Sequence, residues 1–144
     1  MLRRGVPDDA LAVAEVFIAA RAEQTFIPTV HTPDEDRWFF REIALATQEV
    51  WVAEEDGEVV GFAAIRPDLL GHLYVHPRAQ GRGIGAALLA KTKEVRPDGF
   101  CLWTHQPNVG ARRFYERHGL VAVEYTDGST NDERTPDVRF EWRP

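Results

Sequence analysis

With 144 residues the chain has room for one domain, residues 1–144, and a unit of this size buries roughly 68–70% of its unfolded surface without disulfide or metal staples. A hydrophobic share of 44% beside a charged share of 28% is ordinary for a globular protein, and a net charge of −6 lacks the basic balance that nucleic acid demands. A single cysteine, Cys101, rules out an intrachain disulfide and a zinc cluster, while the absence of a signal-like apolar core or a run of about 20 apolar residues leads us to expect a cytoplasmic protein with no membrane partner.

Along the chain, Leu2-Arg3-Arg4 suggests a short strand, and Asp8 or Asp9 opens a helix carrying Val13, Phe17 and Ala20 and ending near Arg21. Glu23 to His31 is a connector without periodicity, holding Phe26, Ile27 and His31. Thr32-Pro33-Asp34-Glu35 then pairs Thr with Glu three residues on and puts proline at the first helical position, a capping box for a second helix with Phe39, Ile43 and Ala46 on its apolar face. Two β-prone runs, Val50–Ala53 and Val59–Ala63, flank Asp56-Gly57, which predicts a hairpin.

Leu69 to Val75 is the next strand, and Pro77 ends it. Five residues after the strand comes Gln80-Gly81-Arg82-Gly83-Ile84-Gly85, followed by the helix formers Ala86 to Ala90. Glycines at a helix start leave backbone N–H groups uncovered at the positive end of the dipole, which favours a phosphate. A P-loop would need Gly-Lys-Ser/Thr, and no lysine follows Gly85; a dinucleotide fingerprint would need Gly-x-Gly-x-x-Gly in the first strand-to-helix unit, not Gly-x-Gly-x-Gly in mid-chain. A turn that merely packs helix on strand is the plain alternative.

After that helix, Pro97-Asp98-Gly99 turns into the strand Phe100–Thr104, expected parallel to the one before. Asn108 caps a helix with Ala111, Phe114, Tyr115 and His118 on one face, and Gly119 ends it. Leu120–Tyr125 and Val138–Trp142 close the fold around a polar stretch, Thr126 to Pro136.

Gln-x-x-Gly-x-Gly after a strand ending in Val-x-Pro resembles the pyrophosphate-binding signature of the GNAT superfamily of N-acetyltransferases. The segment Asn108 to Leu120, Asn-x-x-Ala-x-x-Phe-Tyr-x-x-x-Gly-Leu, resembles that superfamily's second recognisable motif, in the correct order and separation. The resemblance covers nearly the whole chain and implies an α/β fold of α+β type, with one mixed, mostly antiparallel sheet flanked by helices and opened where two strands diverge. It further implies acetyl-CoA as co-substrate, with no metal, and transfer of an acetyl group to a primary amine of a small molecule or peptide by direct attack.

The resemblance carries over to Gln80, Gly81, Arg82, Gly83, Ile84, Gly85 and Ala86 as the pyrophosphate seat, to Leu73, Tyr74 and Val75 as the strand edge that pairs with pantetheine, and to Asn108 on the opposite side. Tyr115 is expected to serve as general acid and to border the cofactor. A phenol with pKa about 10 is still protonated when a thiolate of pKa about 8.5 departs. For the base, His72, His76 and His105 are candidates, His105 having the better address just beyond its strand. Phe26 and His31 of the connector, with Asp132 and Glu133 of the late polar loop, are the candidate acceptor residues; such a loop is more often a plain polar hairpin, but its Asp-Gly-Ser, Asn, Glu and Pro-Asp-Val series is similar to the ends of some GNAT members. A catalytically silent acyl-CoA sensor and a transferase of longer acyl groups stay open beside the amine acetyltransferase, and so does a homodimer.

Overall fold

The computed structural model describes every residue from Met1 to Pro144. Strand β1 (Leu2–Arg4) pairs antiparallel with β2 (Glu49–Glu55), β2 with β3 (Glu58–Ile65), and β3 with β4 (Leu70–Val75). The β2–β3 hairpin turns on Asp56 and Gly57, both at positive φ (52° and 80°), the backbone that matches strand twist in a two-residue turn. A second ladder runs in the order β5 (Phe100–His105), β7 (Asp137–Trp142), β6 (Val121–Tyr125).

The expected single sheet is therefore two ladders, of four and three strands, joined at one point. Leu69 and Cys101 form an isolated parallel bridge, and the Cys101 N–H donates to Asp68 O at 3.0 Å. Beyond it β4 and β5 share no ladder, the divergence that the family resemblance implied.

Helices cover both faces. On one, α1 (Ala10–Ala22) sets Val13, Ala14 and Val16 against Val50, Val52, Phe62 and Phe40. On the other, α4 (Ile84–Val95) and α5 (Val109–Arg117) bring Leu88, Leu89 and Tyr115 onto Val60, Ile65, Leu102 and Phe140. β3 is buried from Val60 to Ile65 because both of its faces are covered.

The second helix begins as the sequence predicts: Glu35 N–H donates to Thr32 Oγ1 at 3.1 Å and Thr32 N–H to Glu35 Oε1 at 2.9 Å. It runs as α2 (Pro33–Phe39), widens into a π-turn (Phe40–Ala44) and ends in the short α3 (Leu45–Thr47). The first helix starts differently from expectation. A 3₁₀ turn, Pro7–Asp9, leads into α1, and the Asp9 carboxylate caps no helix N–H. It accepts two hydrogen bonds from Arg3, at 2.8 and 2.9 Å, and one from the Val6 N–H at 2.8 Å, while Arg3 Nε also donates to Glu54 at 2.5 Å.

The guanidinium of Arg3 holds the Asp9 carboxyl below the usual carboxylate range, against the opposing effect of burial. A lowered folded-state pKa means a contribution present above that range and lost as pH falls through the folded-state value. Asp9→Asn should cost about 1–3 kcal/mol at neutral pH, since Arg3 is left half-paired. Denaturant melts of both proteins from pH 7 to 2 should show the difference shrinking only at the acid end.

Candidate functional site

The opening between β4 and β5 is a cavity of about 770 Å³, walled by Leu70 to Val75 on one side and Leu102 to Thr104 on the other. One end lies at the glycine turn before α4. Gly81 (φ 79°) and Gly83 (φ 81°) line it in left-handed backbone that side chains rarely adopt, and a Cβ at either would meet nothing within 4 Å. Ala87 N–H to Gly83 O, 3.0 Å, is the first bond of the helix. The N–H groups of Ile84, Gly85 and Ala86 therefore have no acceptor within α4 and gather at its positive end, an arrangement that favours an anion.

Gln80 lines the same end and staples it to the strand, its Nε2 donating to Val75 O at 3.1 Å. Gly85 packs where a Cβ would touch Phe114 at 3.6 Å. Arg82 is different: its guanidinium donates to Glu55 at 2.8 Å and Arg78 O at 3.2 Å, so its side chain does not line the cavity. Asn108, across the opening, spends its Oδ1 on the Ala111 N–H at 3.1 Å and so starts α5.

Tyr115 projects into the cavity wall from the middle of α5, between the rings of Phe114 (5.3 Å) and Phe140 (5.8 Å). Burial, with the nearby Tyr74, pushes its phenol well above the ordinary tyrosine range. Tyr74 is raised as well, by burial, with Arg21 pulling the other way.

The far end is built by α1 and β4. Ala20, in the last turn of α1, and Glu23 and Gln24, just after it, line this end with Phe26, Gly71, His72 and Tyr74. His72 is ringed by Phe17, Phe39, Phe40, Phe62 and Tyr74, with centroids 5.4–6.4 Å away, and its Nδ1 is buried without a hydrogen-bond partner. The π-turn that begins at Phe40 lets two consecutive residues, Phe39 and Phe40, both reach this ring.

Of the four acceptor residues expected from the sequence, only Phe26 lines this cavity. His31 lies 3.7 Å from Asp132 and 3.9 Å from Glu35 in a separate depression. Glu133 is engaged by Arg21 (3.6 Å) and His105 (3.7 Å) in a third one. His105 is thereby held in a neighbouring depression and does not line the cavity, contrary to its expected address, whereas Trp103 and Thr104 border both. His76 is also elsewhere, its Nδ1 accepting from the Arg78 N–H at 3.2 Å.

The loop from Thr126 to Pro136 is tied into the fold. Asn131 Nδ2 donates to Thr135 O at 2.7 Å and Asp137 Oδ2 at 3.1 Å, and Thr126 Oγ1 bonds the other Asp137 oxygen. Sequence reasoning missed Glu23, Gln24, Leu102, Thr104, Arg117 and His118 among the lining residues. The first pair was detectable, because Glu23 and Gln24 open the connector from which Phe26 and His31 were drawn; the rest depends on where β5 and α5 lie. No three His, Cys, Asp or Glu side chains gather as a metal site, and no helix is long and apolar enough to cross a membrane.

The family described as acetyltransferase (GNAT) domain matches residues 46–121, over half of the chain. A peptidyl-lysine N-acetyltransferase of Escherichia coli K12, YiaC, is 36% identical over 85 residues, 58% of this chain and 58% of that one; the match thus spans less than two thirds of the relative. Among solved structures, a GCN5-related N-acetyltransferase from Rhodopseudomonas palustris superposes with a TM-score of 0.78 at 24% identity, covering 100% of this chain and 95% of that one. The PaiA N-acetyltransferase of Thermoplasma acidophilum, in complex with coenzyme A, superposes with a TM-score of 0.77 at 19% identity over 100% and 98% of the two chains. At these identities the likeness shows the fold.

Burial among the rings, helped by Arg66 and Arg21, pushes the His72 imidazole down to about 4. An unfolded chain would bind that proton near the ordinary value of 6.5, so between the two values the unfolded state holds more protons and stability falls as pH drops. The loss is on the order of 2–3 kcal/mol across that window. NMR titration should show His72 uncharged at pH 5, and His72→Phe should flatten the corresponding part of the stability profile.

Proposed function

Because the chain belongs to the GNAT acetyltransferase family, we propose that it moves an acetyl group from acetyl-CoA to a primary amine of a small molecule or peptide by direct attack. The observation that carries this proposal is the meeting, in one cavity, of a glycine turn at a helix N-terminus with two strands that part beside it. Structural neighbours with coenzyme A or acetyl-CoA bound support the choice of co-substrate.

Acetyl-CoA supplies an acetyl group activated as a thioester. The free N–H groups of the turn from Gln80 to Ala86 would hold its pyrophosphate, and the open space before Gly81 and Gly83 gives them access. The β4 edge at Leu73, Tyr74 and Val75 would pair with the pantetheine amides, with Asn108 facing them. The uncovered N–H groups put positive polarity at the turn end, whereas Glu23, beyond α1, adds a carboxylate to the lining. Such a polarity suits an anionic cofactor entering from one side and a basic acceptor from the other.

Tyr115 has the position of the acid. Burial holds its phenol protonated, so an O–H is always present to meet the sulfur as negative charge develops there. The same burial makes full loss of the proton costlier, and the hydroxyl therefore acts foremost as a hydrogen-bond donor. Phe26, Glu23 and Gln24 would face the acceptor.

Thiol release measured over amines, polyamines, aminoglycosides, short peptides and lysine peptides tests the proposal, the last because the E. coli relative acts on peptidyl-lysine. Tyr115→Phe should keep acetyl-CoA affinity, measured by calorimetry, and lower turnover by about 10²-fold. Gly83→Val should remain folded at a cost of about 1–2 kcal/mol for a side chain in left-handed backbone, yet bind acetyl-CoA at least tenfold more weakly. Tight acetyl-CoA binding with no thiol release from any amine would instead mark a sensor.

A further inference from the structure

His72 combines features that simple packing does not require. Its ring lines the far end of the cavity, yet it is enclosed by four phenylalanines and a tyrosine, and its Nδ1 is buried with no polar partner. Phe17 and Phe40 stand nearly perpendicular to it, at 78° and 68°. Nδ1 is thus closed off from polar partners on the side of the rings. Nε2 is not among the buried unpartnered atoms and is the nitrogen left to reach the cavity, and its lone pair is free when the neutral ring carries its proton on Nδ1.

From this geometry we propose that His72 receives the proton of the acceptor amine, as the base of the transfer proposed above, on which the inference rests. As the amine nitrogen forms its bond to the acetyl carbon, the C–S bond breaks and its electron pair leaves on sulfur, hydrogen-bonded by Tyr115. The nitrogen's surplus proton passes to Nε2 and then to solvent, and the thiol regains one in its place, so the balance closes without an added reactant.

The charged and titratable groups around the ring are few. Arg21 reaches it from α1, Arg66 from the end of β3 and Tyr74 from its own strand, while α2 and β3 contribute phenylalanines. Two cations and an apolar enclosure keep the imidazole empty of its second proton throughout the neutral range, always ready to accept one. They also make it a weak base, so the expected contribution lies at the low end for such groups.

The test uses n-propylamine and glycinamide, acceptors too small to need a recognition pocket, together with the best amine from the thiol-release panel. His72→Gln should lower kcat by about 10²-fold while leaving the KM for acetyl-CoA within about twofold, and His105→Gln should leave both unchanged. If the glutamine variant does not fold, His72→Phe fills the same enclosure and serves the same comparison. Added imidazole should restore turnover to His72→Ala where benzene, which fills the same space without a basic nitrogen, should not, and equal rescue by benzene would mark a merely structural histidine. Full turnover by a folded His72→Gln or His72→Phe overturns the assignment and leaves the transferase proposal standing. Absence of wild-type turnover with every amine overturns both.

Discussion

Two neighbouring parallel strands that stop pairing leave their facing N–H and C=O groups without partners, and buried backbone groups in that state are costly. β4 and β5 are in this position beyond the Leu69–Cys101 bridge. Their unpaired edges are tolerable only because they border a cavity wide enough for water or a ligand to reach them. Nearly everything else in the molecule keeps that wedge open. Leu88 and Leu89 of α4 and Tyr115 of α5 pack from one face, while Phe40 and Phe62 pack from the other. The strands can neither close nor drift apart.

Electrostatics reinforce the same geometry at its edges. Arg3 binds Asp9 and Glu54, and so fixes the entry of α1 to β2. Arg96 donates to Glu49 at 3.1 Å and to Arg66 O at 3.1 Å, and so ties the end of α4 to the other side of the first ladder. Asp9 and Glu49 titrate below the usual range: at Glu49 burial acts upward and is outweighed by Trp51 and Arg96. These pairs are partly shielded from water, and they act as fasteners between elements more than as isolated surface bridges of small worth.

The cavity has two chemically distinct ends. Uncovered backbone N–H groups mark the end at the glycine turn, and at the other a carboxylate, Glu23, joins aromatic rings and a neutral histidine in the lining. Between them Tyr74 and Tyr115 keep their protons, because burial disfavours both phenolates and the charge of either would disfavour the other. Hydrogen-bond donation in the middle of the cavity is therefore insensitive to pH over the physiological range.

Local rules were enough for much of this. The capping box at Thr32, the Asp56-Gly57 hairpin, the proline that ends β4 and the glycines of Gln80 to Gly85 each depend on a few neighbouring residues, and each was legible because backbone conformation there is decided by those residues alone. The family motifs, likewise contiguous, pointed to the fold and to the divergent strands. Side-chain destinations were not legible in the same way. Asp9 had the right residue type for a cap, but a guanidinium from another strand claimed it; Arg82 sits inside the glycine motif, yet Glu55 across the hairpin draws it outward. His105 looked better placed than His72 until its contact with Glu133 held it in a neighbouring depression, while a distant π-turn closed two phenylalanines over His72. The sequence by itself determined the turns, the Thr32 and Asn108 caps and the glycine turn before α4, because those are short-range steric and hydrogen-bonding choices. Which of several equivalent histidines and carboxylates face the cavity was decided only by the tertiary structure, because burial and charge pairing depend on residues far apart in the chain.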